Sequence, residues 1–156
     1  MHAPLPSRRS LLALASAAIL AAAAGDASAQ TVVRTAGLSF GSFLAGSGGT
    51  AQVGSNGSWS KSGGVILLGQ GANATAAQFI ITGSAGAGYT VSLPADHVVL
   101  LTSPNGHSLP VNGFISSLNN LGPTLKELRI GASLNVGANQ APGSYSGNYN
   151  ISVEYQ

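Results

Sequence analysis

Asp96, His97 and His107 are the residues of this 156-residue chain whose types and proximity come nearest to a chemical site. Zinc takes three or four nitrogen, sulfur or carboxylate ligands, and two histidines with one adjacent acid fall short of that set. A hydrolytic triad needs a nucleophile on a strained strand-to-helix turn, yet the sequence holds no cysteine, and its G-x-S-x-G string, Gly37-Leu38-Ser39-Phe40-Gly41, overlaps the alternating run Leu38–Phe43 with no helix after it. Both histidines are expected near opposite ends of a hairpin, partly solvated. Glu127 and Glu154 fall within alternating strand patterns and should point outward, so no carboxylate pair flanks a glycosidic bond. The run Gly69-Gln70-Gly71-Ala72-Asn73-Ala74 satisfies G-x-G-x-x-A after an apolar stretch. It leads within a few residues into another strand rather than a helix, so a Gly-rich turn is expected there instead of a dinucleotide fingerprint. The residues therefore point to a non-enzyme, with no catalytic, cofactor-binding or metal-ligating set.

Charge excludes more. Only 6% of the residues are charged, against roughly 25% in ordinary globular domains. Met1 to Ser10 carries Arg8 and Arg9, Leu11 to Ala24 is apolar, and Ala27-Ser28-Ala29 offers small residues at a cleavage site. These are the parts of a signal peptide, residues 1–29, and the apolar run is shorter than the roughly 20 residues a membrane span needs. Ser7-Arg8-Arg9-Ser10-Leu11-Leu12 also resembles a twin-arginine export signal; the alternative is two ordinary n-region charges. Beyond Ala29 remain Arg34, Lys61, Lys126 and Arg129 against Asp96, Glu127 and Glu154, a net of +1. No nucleic-acid partner and no membrane span in the mature form are expected. The predicted location is outside the cytoplasm: periplasm, cell surface or secreted.

The remaining residues, 30–156, are expected to form a single domain without disulfides. Apolar residues recur at period two in short runs broken by Gly, Asn, Pro and Ser, which predicts strands. The clearest run is Leu128, Ile130, Ala132, Leu134 and Val136, and the next is Tyr149, Ile151, Val153 and Tyr155. Further strands are predicted over Leu38–Phe43, Thr50–Val53, Val65–Leu68, Gln78–Thr82, Tyr89–Leu93, His97–Thr102 and Ser108–Phe114. Pro104-Asn105-Gly106 marks a tight turn between the last two. Residues 137–147 are expected to join the two final strands as a hairpin. Leu118–Leu128 is the one stretch with room for a helical turn or two. Such a pattern predicts an all-β, antiparallel sandwich.

Two aromatic residues are candidates for a ligand platform. Trp59 lies in a Ser/Lys/Gly stretch and could present its face to a sugar or peptide, or else plug one end of the sandwich. Tyr145, in the loop before the last strand, is the second candidate for a carbohydrate- or matrix-binding module.

Leu38-Ser39-Phe40-Gly41-Ser42-Phe43, Gly63 to Gly69, Phe79 to Gly83, Tyr89 to Pro94, Gly131 to Gly137, Pro142 to Gly147 and the closing strand together resemble the bacterial domain-of-unknown-function 4402 family. The likeness runs across nearly the whole chain after residue 29. Its members resemble subunits of chaperone-usher pili, small exported immunoglobulin-like sandwiches. The resemblance implies a structural or adhesive surface protein whose partners are a periplasmic chaperone, an usher and neighbouring subunits. Tyr149, Ile151, Val153 and Tyr155, with Tyr155 penultimate, correspond to the alternating last strand with which a pilin engages its chaperone. Polymerising pilins also carry an alternating arm before the first strand. Here that arm is only Gln30 to Gly37, and Val32 shares a face with Arg34. A short arm of this kind implies a subunit that caps or tips a fibre, or one complete in itself.

Overall fold

A computed structural model describes residues 30–69 and 73–156. The expected signal peptide and the centre of the G-x-G-x-x-A string lie outside the described residues. The described chain is all-β and antiparallel. Its strands are β1 (Thr31–Ala36), β2 (Ser39–Phe40), β3 (Ser42–Leu44), β4 (Gly49–Val53), β5 (Trp59–Gly63), β6 (Ile66–Leu68) and β7 (Ala74–Thr75). They continue with β8 (Ala77–Thr82), β9 (Tyr89–Ser92), β10 (Val99–Thr102), β11 (Ser108–Asn120), β12 (Leu125–Val136) and β13 (Ser152–Tyr155).

The strand with the cleanest alternation occupies the centre. On β12 the side chains of Leu128, Ile130 and Ala132 are fully buried, and Leu134 and Val136 nearly so, all on one face. One edge of β12 pairs with β11 from Lys126 to Leu134, with a register shift between Asn112 and Ile115. The other edge is divided: Leu125–Ile130 pairs with β8, and Ala132–Val136 pairs with β4. Gly131 stands at the division, where a Cβ would run into the Val53 carbonyl and the backbone of Gly54 and Ser55. Only a residue without a side chain lets the end of β4 come this close. The seven-stranded sheet is completed by β1 on β8, β5 on β4 and β10 on the Ser108–Val111 end of β11, and it curls into a half-barrel.

Three two-stranded ladders, β2–β7, β3–β6 and β9–β13, supply the rest of the core. One buried cluster centres on Val53, Val65, Leu109, Val111 and Leu134, and a second on Ala77, Ile81, Leu128 and Ile130. Leu38, Phe114 and Tyr149 pack against both. Residues 31–40 run antiparallel to 74–82, first as β1 on β8 and then as β2 on β7. At Gly41, whose φ of +68° is costly for any residue with a Cβ, the chain leaves β7, and β3 takes β6 as its partner.

Several expectations need correction. The stretch 118–128 is a strand hairpin, with Leu118 opposite Leu128 and Asn120 opposite Lys126. Local propensity there yields to pairing across the Gly122-Pro123 turn. Residues 137–147 do not join paired strands, since β13 pairs with β9 instead of β12. Alternation identifies the buried face of a strand but carries no information on its neighbour. The Asn105-Gly106 turn is where it was expected, with Ser103 N–H donating to the His107 carbonyl at 2.8 Å.

Candidate functional site

Among the described residues lies a groove of about 560 Å³. Its floor is apolar: Val99, Leu101, Leu109, Val111, Phe114 and Leu134. One rim is residues 38–45, carrying β2 and β3; the other is drawn from residues 140–149. Each rim spends one backbone edge elsewhere. β2 and β3 pair with β7 and β6, while Ser146 exchanges both backbone hydrogen bonds with Thr102, at 2.8 and 3.0 Å. Among the described residues, one backbone hydrogen bond joins the rims, Asn139 N–H to the Gly46 carbonyl at 3.4 Å, and it lies at one end. Among the described residues β2 and β3 have no second strand partner, and no strand lies between the two rims above the apolar floor.

Local contacts hold the second rim in place. Tyr145 Oη donates to the Ala141 carbonyl at 2.7 Å and accepts from Gln140 Nε2 at 2.9 Å, which folds Pro142-Gly143 into a fixed turn. Tyr149 lies against Phe114, ring centroids 5.4 Å apart and tilted by 43°. Burial pushes the Tyr149 hydroxyl above its usual range, and the nearby Arg34 guanidinium opposes that shift.

Trp59 sits on β5 with its indole packed against the first core cluster, and its Nε1–H donates to the Phe40 carbonyl at 3.0 Å. That bond ties β5 to the groove's first rim. Tyr145 lines the groove itself. Tyr149, Ile151 and Val153 share a half-buried face against the second cluster. Tyr155 continues their parity but is exposed, meeting Tyr89 edge to face at 5.9 Å. Val153 and Tyr155 face Val91 and Tyr89 across the β9–β13 ladder, so one edge of β13 is occupied and, among the described residues, the other carries no strand.

Asp96, His97 and His107 do not converge. Asp96 Oδ1 accepts from Gly113 N–H at 2.7 Å, Asn112 Oδ1 accepts from His97 N–H at 2.8 Å, and His107 lies in the turn at the far end of β10. The acid and the first histidine thus pin a loop to β11. Among the described residues no group of three or more His, Cys, Asp or Glu side chains is arranged to hold a metal ion. Glu127 forms an ion pair with Arg129 at 3.0 Å, and Glu154 is exposed on β13. Among the described residues no helix is long and apolar enough to cross a membrane.

The family described as domain of unknown function DUF4402 matches residues 30–155. The chain belongs to that family. No curated protein and no solved structure matches this DUF4402 chain. The match extends from the residue before β1 to the end of β13, so both rims, the floor and the central β12 strand all belong to the DUF4402 region. Residues 38–45 are the part of the site that sequence reasoning missed. Their alternation is short and broken by Gly37, Gly41 and Gly46, and period two cannot tell a strand with two neighbours from a strand with one.

Proposed function

We propose that this DUF4402 protein is an exported, non-enzymatic structural subunit: an immunoglobulin-like sandwich of pilus type, assembled by taking a strand from another polypeptide into its groove. One observation carries the reading, the apolar groove between two backbone edges that lack a strand. An extended segment laid there would gain main-chain hydrogen bonds on both sides and bury alternate side chains on Leu101, Leu109 and Phe114. The partners are a periplasmic chaperone, an usher and neighbouring subunits, with residues 1–29 as the export signal. Scarcity of charge supports the reading, since exposed edges ordinarily carry lysine or other charge to prevent such pairing. The platform reading of Trp59 has less support, because its ring is packed and its N–H is already engaged.

The test is to purify the protein from periplasm, identify what accompanies it, and measure its sedimentation. Chaperone-bound or fibrous protein is expected, with Leu101→Glu abolishing both while leaving secretion intact. A stable monomer that binds no chaperone and tolerates loss of Val153 to Gln156 would sink the proposal. A twin-arginine route, revealed by export that depends on Arg8 and Arg9, would do the same, because chaperone-dependent subunits cross the membrane unfolded.

A further inference from the structure

The N-terminal strand β1 is held in an unusual way. Five of its six residues are exposed, and Val32 and Val33 keep 43% and 57% of their surface in solvent. Yet its backbone is in register with β8, Thr31 opposite Thr82, Val32 opposite Ile81 and Arg34 opposite Phe79. Main-chain pairing therefore supplies nearly all that holds the arm. The side-chain ties at its base are two exposed hydrogen bonds, Thr35 Oγ1 to the Gln78 carbonyl at 3.3 Å and Thr75 Oγ1 to the Gly37 carbonyl at 2.9 Å. Gly37 follows, with no atom within 4 Å of where a Cβ would stand, and Leu38 after it is anchored against both core clusters. The arm is a peelable edge strand on an unobstructed pivot.

Peeling uncovers the backbone edge of β8 beside the fully buried Ile81. A bare edge of that kind seeks a strand. The strand it demonstrably accepts is Thr31–Ala36, and a second copy of the chain carries an identical one. We propose that two copies exchange β1 reciprocally, each arm pairing with the partner's β8 in the register seen within one chain. Exchange remakes every β1 contact, so it opposes only the entropy of association and the geometry of the Gly37 pivot. The groove is not involved: the acceptor is β8, on the main sheet, and the arm's Val32 and Arg34 share one face, which suits the uncovered flank of β8 rather than an apolar floor.

The absence of cysteine allows a clean trap. Val33 and Ile80 stand directly opposite each other in the β1–β8 register, the placement from which a cross-strand cysteine pair is built. In the purified Val33→Cys/Ile80→Cys protein, oxidation before exchange links residues within one chain and oxidation after exchange links two chains. The ratio of linked dimer to linked monomer is expected to rise roughly tenfold for each tenfold rise in free monomer during prior incubation, as mass action requires. Mixing Val33→Cys protein with Ile80→Cys protein should give the 33–80 disulfide between chains. Protein lacking residues 30–36 should stay folded and lose the dimer. Linked monomer alone at every concentration, or unfolding of the shortened chain, overturns the exchange. Groove occupancy is read separately, since chaperone capture and its loss in Leu101→Glu leave the cross-linking pattern unchanged.

Discussion

Tyr149 joins the two halves of the core, because its ring touches both buried clusters while its hydroxyl is drawn out of water. Its ionisation is therefore linked to folding. Above about pH 10 the unfolded chain releases this proton while the folded chain, with its raised value, keeps it. The native state then binds more protons than the unfolded state, so stability falls as pH rises through that window and is unaffected near neutrality. Denaturation midpoints of wild type and Tyr149→Phe are expected to run parallel up to about pH 9 and to diverge above pH 10, the variant falling less. Equal slopes above pH 10 would refute the linkage. The site's other polar contacts have structural roles. Asp96, the His97 backbone and Tyr145 each spend their hydrogen bonds on positioning loops. Their residue types were legible in the sequence; that they never meet was a matter of topology.

Strands differ sharply in what they contribute, and burial ranks them. β12 puts five consecutive same-face residues into the core, whereas β1 puts in almost none. Leu134→Ala, which opens a cavity beneath the groove, is expected to cost about 2–5 kcal/mol. Val33→Ala on β1 should cost less than about 0.5 kcal/mol. Urea titration of the two variants checks the contrast, and a comparable loss in Val33→Ala would mean that β1 is packed rather than merely paired. The same ranking explains what could be read from sequence. Leu128 to Val136 announced itself because every second residue is apolar and every one is buried. β5 did not, since Trp59-Ser-Lys-Ser-Gly holds one apolar side chain and four exposed positions, held to β4 by backbone pairing and by hydroxyl hydrogen bonds of Ser60 and Ser62. β13 was recognised as a strand, yet its partner, β9, lies some sixty residues earlier, a distance over which local pattern is silent.

At the scale of the molecule, the all-β class was legible in the period-two alternation, while the groove was not. It consists of a missing neighbour, and period-two alternation is the same on either side of a gap. Charge is the whole-molecule property that bears on association. Outside the first 29 residues, four cations and three anions are distributed over the domain, and Arg129 and Glu127 already pair with each other. With so little field to screen, association through backbone edges and apolar surface should barely respond to ionic strength. Lowering the Debye length from about 30 Å to about 10 Å, by raising NaCl from 0.01 to 0.1 M, is expected to change the self-association constant by less than about twofold. Sedimentation equilibrium at the two salt concentrations measures this directly. A tenfold weakening would point instead to an ion-paired interface, and Arg34, Lys61 and Lys126, which form no salt bridge among the described residues, would be the first cations to replace.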